Sequence, residues 1–196
     1  MKVVVINHLT LDGVMQAPGR ADEDTRGGFA HGGWALPNND EVMGRAMAHG
    51  MAQGGSLLLG RRTYQDFHAV WPKRKDNPFT DLLNRIEKRV ASRTLTAPLP
   101  WSHSTLLAGD AREAVAALKE QPGKDLVVLG SGELIQSLMR QNLVDRYILM
   151  IHPLVLGSGR RLFADPAAVT RLRLVESLTT TTGVVIATYQ TQENAG

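Results

Sequence analysis

The sequence predicts an α/β protein with a central, mainly parallel β-sheet, helices on both faces and an antiparallel hairpin at the C-terminal end. Short apolar runs rich in β-branched residues alternate with segments of helical apolar period, as in parallel strands joined by crossover helices. The segments Arg171 to Leu178 and Val184 to Thr191 indicate two strands joined by a turn. With 196 residues and no internal repeat or linker, we expect a single domain over 1–196.

Apolar runs of strand length predict five strands ahead of the hairpin. The first is dominated by valine and isoleucine, and the fourth and fifth are equally apolar, as strands buried on both faces are. In chain order the predicted strands are Val3–Leu9, Ser56–Leu59, Lys88–Ser92, Asp125–Leu129 and Arg146–Val155.

Helical periodicity and start signals predict five helices between these strands. Pro37 and the Asn/Asp cluster after it mark the start of the first helix, in which Met43, Met47 and Met51 form an apolar stripe. In chain order the predicted helices are Asn38–Gln53, Arg61–Phe67, Thr80–Arg85, Asp110–Glu120 and Glu133–Arg140.

The composition favours a protein that binds a small molecule. Hydrophobic residues make up 43% and charged residues 21% of the chain, and a net charge of +3 is spread without a basic block. Aromatic residues amount to 5% and do not alternate with basic ones, so no nucleic-acid partner is expected. Because no stretch approaches the roughly 18 apolar residues of a membrane span, and the N-terminal apolar run is too short for a signal peptide, we expect a cytoplasmic protein without a membrane partner.

Several kinds of chemistry are disfavoured by the residues present. The chain has no cysteine, so disulfides, a thiol nucleophile and a cysteine zinc site are not expected. Its six histidines are scattered without metal-ligand spacing, so we predict no metal site. A Gly-x-Ser-x-Gly elbow and the Gly-x-Gly-x-x-Gly fingerprint after the first strand are both missing, so any nucleotide must be bound by another geometry.

The most informative motif is Gly60-Arg61-Arg62-Thr63, where a strand ends and a helix begins. Free N–H groups and the helix dipole favour an anion at such a position, whereas arginines there are electrostatically unfavourable for the helix itself. A bound phosphate explains the arginines, which can hold it with paired hydrogen bonds. For this motif alone, a tight turn with a solvated helix start remains the alternative.

Two further strand ends carry similar polar residues, Ser92-Arg93-Thr94 and Gly130-Ser131-Gly132-Glu133. Because the carboxyl ends of parallel strands gather at one edge, we expect all three junctions along one rim. Together they favour a cofactor with several phosphates. The arginines and hydroxyls favour NADPH over NADH, because they can bind the 2′-phosphate that only NADPH carries. Singly, each end could be an ordinary polar turn.

The first predicted helix carries a candidate catalytic acid, Asp40, three residues before Met43. We expect its carboxyl group to project from the methionine stripe towards the interior, where desolvation would raise its pKa and let it relay a proton. Helix capping by Asn38, Asn39 or Asp40 is the alternative. The methionines would be core residues or an adaptable pocket wall.

A long connection over Thr10 to Pro37, rich in glycine, proline and charge, precedes this helix. Connections of this length are usually active-site loops, with a flexible surface insertion as the alternative. The candidate substrate-binding residues are Asp12 and Trp34 from the loop and Met43 and Met47 from the helix, while Gln16 and Arg20 could also influence the choice of substrate.

Read together, the motifs resemble the dihydrofolate reductase-like superfamily, and within it the branch of the reductase domain of bacterial bifunctional riboflavin biosynthesis proteins. The resemblance spans nearly the whole chain. It is carried by Leu9-Thr10-Leu11-Asp12-Gly13, Leu57-Leu58-Leu59-Gly60-Arg61-Arg62-Thr63-Tyr64, Val90-Ala91-Ser92-Arg93-Thr94-Leu95, Val128-Leu129-Gly130-Ser131-Gly132-Glu133-Leu134 and Pro153-Leu154-Val155-Leu156-Gly157-Ser158-Gly159.

The resemblance implies a three-layer fold with NADPH across the strand ends. The adenosine end would be held by Arg61, Arg62, Thr63, Ser92, Arg93 and Thr94, and the pyrophosphate by the backbone of Gly130, Ser131, Gly132 and Glu133. The substrate would lie between the long loop and the first helix. Dihydrofolate reductases carry an acid near the start of this helix, which favours Asp40 as the catalytic residue.

We therefore expect an NADPH-dependent reductase that transfers a hydride to a C=N or C=O group of a small heterocyclic or sugar-like substrate, similar to a pterin or a riboflavin precursor. A zinc deaminase domain and the folate-recognition pattern are not found in the sequence, so another small molecule is expected. A non-catalytic nucleotide- or metabolite-binding dimer and a flavin-binding oxidoreductase are the alternatives. The last apolar strand before the C-terminal hairpin and the hairpin itself could bury a symmetric interface between two copies of the chain, so we expect a homodimer.

Overall fold

The apolar runs form the strands of a single sheet in the computed structural model, which describes residues 1–75, 77–164 and 169–192. The strands are β1 (Val3–Thr10), β2 (Gly54–Gly60), β3 (Glu87–Ala91), β4 (Ser104–Leu107), β5 (Asp125–Leu129), β6 (Arg146–His152), β7 (Leu172–Thr179) and β8 (Val185–Thr191). Their order across the sheet is β4-β3-β2-β5-β1-β6-β8-β7.

Strands β1 to β6 pair in parallel, and β8 pairs antiparallel with both β6 and β7. The predicted mixed sheet with its C-terminal antiparallel hairpin is therefore confirmed. This sheet order places the carboxyl ends of β3, β2, β5 and β1 side by side, in that order, along one edge where ligands can bind.

In the described residues, five α-helices cover the two faces of the sheet, as predicted: α1 (Glu41–Gln53), α2 (Arg61–Val70), α3 (Pro78–Arg85), α4 (Ala111–Lys119) and α5 (Gly132–Met139). Side chains of β1 alternate between two apolar clusters, as the strand period requires. Val3 and Val5 pack with residues of α4 and α5, whereas Val4 and Ile6 pack with residues of α1, α2 and α3.

Apart from shifts of a few residues at element ends, the main differences from the predicted elements are an additional strand, an earlier strand end and a later helix start. Strand β4, at the sheet edge, was not predicted, because four residues of mixed polarity carry too little pattern. The predicted strand to Val155 ends at His152, and helix α1 begins at Glu41, because Leu36–Asn38 forms a separate turn of 3₁₀ helix. No helix in the described parts of the chain has the length and apolar character needed to cross a membrane.

Substitution of a sheet-core leucine tests this packing. Leu58 is 0% exposed and Leu36 is 53% exposed. We expect Leu58→Ala to lower the free energy of unfolding by about 2–5 kcal/mol, because it leaves a cavity between strands and helices. Leu36→Ala, the matched control, should change it by less than about 0.5 kcal/mol in urea titrations followed by circular dichroism. Equal losses in the two variants would contradict the assignment of the core.

Candidate functional site

A cleft of about 1190 Å³ opens at the carboxyl edge of the sheet. Its walls include the long loop after β1, helix α1, helix α2 and the turn between β5 and α5. The volume exceeds that of a usual single-ligand pocket, so the cleft has room for a dinucleotide and a second small molecule.

Ser131 links the two strand-to-helix junctions that the sequence predicts as phosphate sites. Its hydroxyl accepts a hydrogen bond from the Gly60 N–H group (3.1 Å), and its own N–H group donates to the hydroxyl of Thr63 (3.1 Å). Gly130 and Ser131 both have left-handed backbone conformations, with φ of 57° and 53°. The start of α2 and the start of α5 are therefore held side by side.

The α-helices differ in how their first turns are capped. Asp40, Asn77 and Asp110 accept hydrogen bonds from the first turns of α1, α3 and α4. Helices α2 and α5 have no side-chain cap from any residue in the described parts of the chain. Their first-turn N–H groups are therefore available to another acceptor, at the two junctions that border the cleft.

Arginines from three parts of the chain meet at Glu133 in the first turn of α5. Its Oε1 atom accepts hydrogen bonds from Arg26 (3.0 Å), Arg62 (2.7 Å) and Arg160 (2.9 Å). Burial opposes ionisation of this carboxyl group, but Arg26 and the other two cations outweigh it and lower the pKa of Glu133. Since Arg26 also pairs with Asp24, three cations face two carboxylates and one positive charge is in surplus.

The loop after β1 forms one wall of the cleft and is tied to both uncapped helices. Arg20 donates two hydrogen bonds to Asp66 of α2, at 2.5 and 3.3 Å, and Arg26 reaches Glu133 of α5. The buried side chain of Gln16 bonds the backbone of Asp24, Arg26 and Arg160. These contacts favour the active-site loop over the surface insertion.

A second part of the lining is apolar. It lies over the sheet face covered by α1 and consists of methionine, aromatic and aliphatic side chains: Ile6, Met43, Met47, Met51, Phe67, Trp71, Phe79 and Met150. Methionine side chains adapt to flat or irregular ligands, and aromatic rings pack against planar ones. This part of the cleft suits a planar ring.

The structure brings many of the predicted site residues into the cleft lining and leaves others outside it. Those in the lining are Asp40, Met43, Met47, Arg62, Thr63, Gly130, Ser131, Gly132 and Glu133. Those outside it are Asp12, Trp34, Gly60, Arg61, Ser92, Arg93 and Thr94. Gly60 nevertheless contacts the lining through its bond to Ser131.

The junction after β3 is next to the cleft rather than in it. Gly60 and Ala91 are paired across β2 and β3, so Arg61 and Ser92 are neighbours at the sheet edge. The hydroxyl of Ser92 accepts hydrogen bonds from the N–H groups of Thr94 (3.1 Å) and Leu95 (3.0 Å), which closes a local turn. Arg93 and Thr94 are exposed.

Asp40 is bound as a helix cap, and the expected rise of its pKa is wrong. Its Oδ1 atom accepts from the Met43 N–H group (2.8 Å), and Oδ2 accepts from the N–H (2.8 Å) and hydroxyl (2.7 Å) groups of Thr181. The bond from Met43, opposed by desolvation and reinforced by Thr181, lowers the pKa of Asp40. This carboxylate lines the cleft in its ionised form.

Asp12 and Trp34 organise loops. Asp12 accepts hydrogen bonds from the Thr10 hydroxyl (2.6 Å) and from the N–H groups of Leu156 (3.2 Å) and Gly157 (2.9 Å), and the Thr10 bond is the main cause of its lowered pKa. Trp34 is 8% exposed and donates its indole N–H to the Gln16 carbonyl (2.7 Å). Its ring packs edge-on against His152 behind the cleft.

A histidine pair at the cleft was not predicted from the sequence. His8 on β1 lines the cleft, and its Nδ1 atom is 2.9 Å from Nε2 of the fully buried His152 at the end of β6. Burial, followed by the neighbouring His152, lowers the pKa of His8 to about 3, and burial lowers the pKa of His152 to about 4. Both lie near carboxyl ends of predicted strands, but which strands pair was not predictable. Among the described residues, no group of three acidic or histidine side chains is placed to hold a metal ion.

The sheet order, the C-terminal antiparallel strands and the uncapped helices around one cleft define a dihydrofolate reductase-like α/β protein. Within that class, the chain belongs to the RibD C-terminal domain family, whose model matches residues 1–186. The predicted family resemblance is confirmed.

Two curated relatives come from Bacillus subtilis strain 168. The uncharacterized protein YyaP is 33% identical over 139 residues, 68% of this chain and 72% of YyaP. The uncharacterized protein YwjB is 36% identical over 121 residues, 61% of this chain and 64% of YwjB.

Solved structures with the same fold cover nearly the whole chain. One is a candidate riboflavin biosynthesis protein from Shewanella sp. PV-4, with a TM-score of 0.72 and 22% identity over 98% of this chain and 100% of that one. Another is a pyrimidine reductase-like protein from Corynebacterium diphtheriae, with a TM-score of 0.64 and 12% identity over 98% of this chain and 92% of that one.

The histidine pair predicts a pH dependence of stability. Both histidines are neutral in the folded protein and take up protons near pH 6.5 when unfolded, so the unfolded state binds more protons as the pH falls. We expect the free energy of unfolding to fall between pH 6.5 and about pH 4, by at most about 1.4 kcal/mol per pH unit for each histidine. Urea titrations across this range measure the slope.

The double variant His8→Gln/His152→Gln should lose most of this slope. His49, exposed on α1, provides the matched control, and His49→Gln should keep it. An unchanged slope in the double variant would show that the pair is not neutral in the folded protein.

Proposed function

We propose that this chain is a cytoplasmic NADPH-dependent reductase that transfers a hydride to a C=N or C=O group of a small heterocyclic or sugar-like molecule, similar to a pterin or riboflavin precursor. One observation carries the proposal: two uncapped helix starts, a surplus of arginine and an apolar ring-sized wall share one cleft. Membership of the RibD C-terminal domain family and the reductase-like name of a protein with the same fold support it.

The residues present fit a dinucleotide. The free N–H groups at the start of α5, preceded by the left-handed Gly130 and Ser131, would hold the pyrophosphate. Arg62 and Arg160 would exchange part of their bonding to Glu133 for phosphate oxygens, while Glu133 keeps Arg26 in place. The adenosine end would extend along the sheet edge towards Arg61, Ser92 and Arg93, where exposed arginines can recognise a 2′-phosphate.

The chain's own residues would position the reactants and exclude water. When bound, a reduced nicotinamide supplies a hydride, and the acceptor's oxygen or nitrogen must also take up a proton. The methionine and aromatic wall would orient both rings, and the anchored loop over Arg20 and Arg26 would close the cleft from solvent. Since the pKa of Asp40 is lowered, we assign the proton to water rather than to this carboxylate.

The affinities of two arginine variants for NADPH and NADH test the proposed phosphate contacts of Arg62 and Arg61. We expect Arg62→Ala to weaken NADPH and NADH alike, by about 10- to 100-fold, because a charged hydrogen bond to the shared pyrophosphate contributes about 1.5–3 kcal/mol. Arg61→Ala should weaken NADPH by several fold more than NADH, because only NADPH carries the 2′-phosphate. Titration of cofactor fluorescence measures both.

Arg45→Ala is the control, since Arg45 pairs with Glu41 on the exposed side of α1. It should leave both affinities unchanged. Absence of NADPH binding at millimolar concentration would refute the proposal. Binding without oxidation of NADPH by pterin, flavin-precursor and quinone panels would favour the non-catalytic alternative, and a yellow purified protein would favour the flavin alternative.

We also propose that the protein is a homodimer formed through the region of β6, β8 and β7. A shallow apolar groove there is bordered by Leu11, Ile151, Leu172 and Tyr189, and Leu11 is 64% exposed. Light scattering after gel filtration should give about twice the chain mass of 21.4 kDa. A monomer at micromolar concentration would refute the dimer.

A further inference from the structure

The histidine pair is one part of a chain of three polar side chains that leads from the half-buried Asn38, through the buried His152, to the cleft. The side-chain amide nitrogen of Asn38 lies 3.4 Å from Nδ1 of His152, and Nε2 of His152 lies 2.9 Å from Nδ1 of His8. His152 is fully buried, and Trp34 covers it from behind. The order of the contacts is therefore Asn38, His152, His8, cleft.

The amide group determines which ring nitrogens carry protons. With the NH₂ group of the Asn38 amide facing His152, as the structure has it, Nδ1 of His152 accepts, and the single proton of this neutral imidazole is assigned to Nε2. That proton is donated to Nδ1 of His8, so the proton of the neutral His8 is on its own Nε2. The chain has one consistent arrangement of protons.

The outer nitrogen of His8 is free for a ligand. Among the described residues, Nε2 of His8 has no hydrogen-bond partner, and it is not one of the enclosed polar atoms that lack one. His8 lines the cleft within its apolar part, two residues after Ile6 and paired in register with Met150. Asn38 and Trp34 both contact the imidazole of His152, and neither side chain carries a charge.

We propose that His8 donates its Nε2–H group to a neutral acceptor on the substrate ring, a carbonyl oxygen or an imine nitrogen, and that His152 and Asn38 are positioning residues. The term substrate rests on the reductase function proposed above. As the hydride adds to carbon, the electron pair of the C=O or C=N bond moves to the heteroatom, and a fixed N–H donor would stabilise the developing negative charge. The proton that completes the reduction comes from water, so His8 keeps its own.

This assignment selects a class of ligand. A neutral imidazole at neutral pH offers no charge to attract a carboxylate or phosphate group, so those groups would bind at the arginines instead. A donor surrounded by apolar side chains discriminates strongly against rings that lack an acceptor, because a buried N–H group would lose its partner. The expected ligand of His8 is therefore an uncharged ring with a carbonyl or imine group.

The first test measures the tautomers directly. In ¹⁵N NMR spectra at neutral pH, we expect a protonated Nε2 and an unprotonated Nδ1 for both His8 and His152. Asn38→Leu removes the amide donor and should convert His8 into a mixture of tautomers, whereas Asn39→Leu should not. Protonation of His8 on Nδ1 in the unmodified protein, or no effect of Asn38→Leu, would overturn the proposal.

The second test uses a matched pair of probes, 1-tetralone and tetralin, which differ by one ring carbonyl. We expect the protein to bind 1-tetralone more tightly, and His8→Phe to reduce that affinity about 2- to 10-fold while leaving tetralin unchanged. His8→Gln, which retains a donor, should recover part of the loss. Equal affinities of His8→Phe and the unmodified protein for 1-tetralone, or no binding of 1-tetralone, would overturn the proposal.

Neither test contains NADPH, so its outcome is separate from that of the proposed reductase function. A protein with the expected tautomers and carbonyl preference that fails to bind NADPH would keep the ligand site and lose the reductase function. A protein that binds NADPH but has the opposite tautomers would lose only the role of His8.

Discussion

The cleft depends on the hydrogen bonds of Ser131, which join two crossover units of the sheet. The residue bonds Gly60 and Thr63 at the start of α2, and its hydroxyl also donates to the Leu129 carbonyl at the end of β5. A non-glycine residue at φ of 53° has an unfavourable backbone energy of about 1 kcal/mol, which these three bonds offset. Because α2 and α5 lie on opposite faces of the sheet, this contact holds two helix starts at one edge.

The lack of side-chain caps follows from the same arrangement. A side-chain cap on α2 or α5 would use first-turn N–H groups at the border of the cleft, and Gly60 and Ser131 at the N-cap positions supply no such cap among the described residues. Elsewhere the chain caps its helices with aspartate or asparagine. In the proposed function, the two uncapped starts give up the stability of a side-chain cap for affinity to an anion. The arginines around Glu133, unfavourable for a bare helix start, would add to that affinity.

Short stretches of the sequence were sufficient to predict the fold and part of the candidate site. The apolar strands, the C-terminal hairpin and the junctions at Gly60 and Gly130 could all be predicted, because each depends on a few consecutive residues. Arg160 and the histidine pair could not, since they reach the cleft through pairings distant in sequence, such as β1 with β6. Asp40 was placed at the cleft, yet its pKa is lowered by the Met43 N–H group and also by Thr181, which is 141 residues away in sequence.

Asp40 and His8 both border the methionine wall, and their hydrogen bonds indicate different roles. The carboxylate of Asp40 accepts three hydrogen bonds that hold α1 against the turn between β7 and β8, so its oxygens are already engaged. The imidazole of His8 is held from behind by His152 and has its outer nitrogen free. A reacting heteroatom over the methionines would therefore meet a neutral donor, while the ionised carboxylate keeps the wall in position. In the proposed reaction, Asp40 at the start of this helix would therefore fix the geometry of the wall, and His8 on the first strand would make the contact with the substrate.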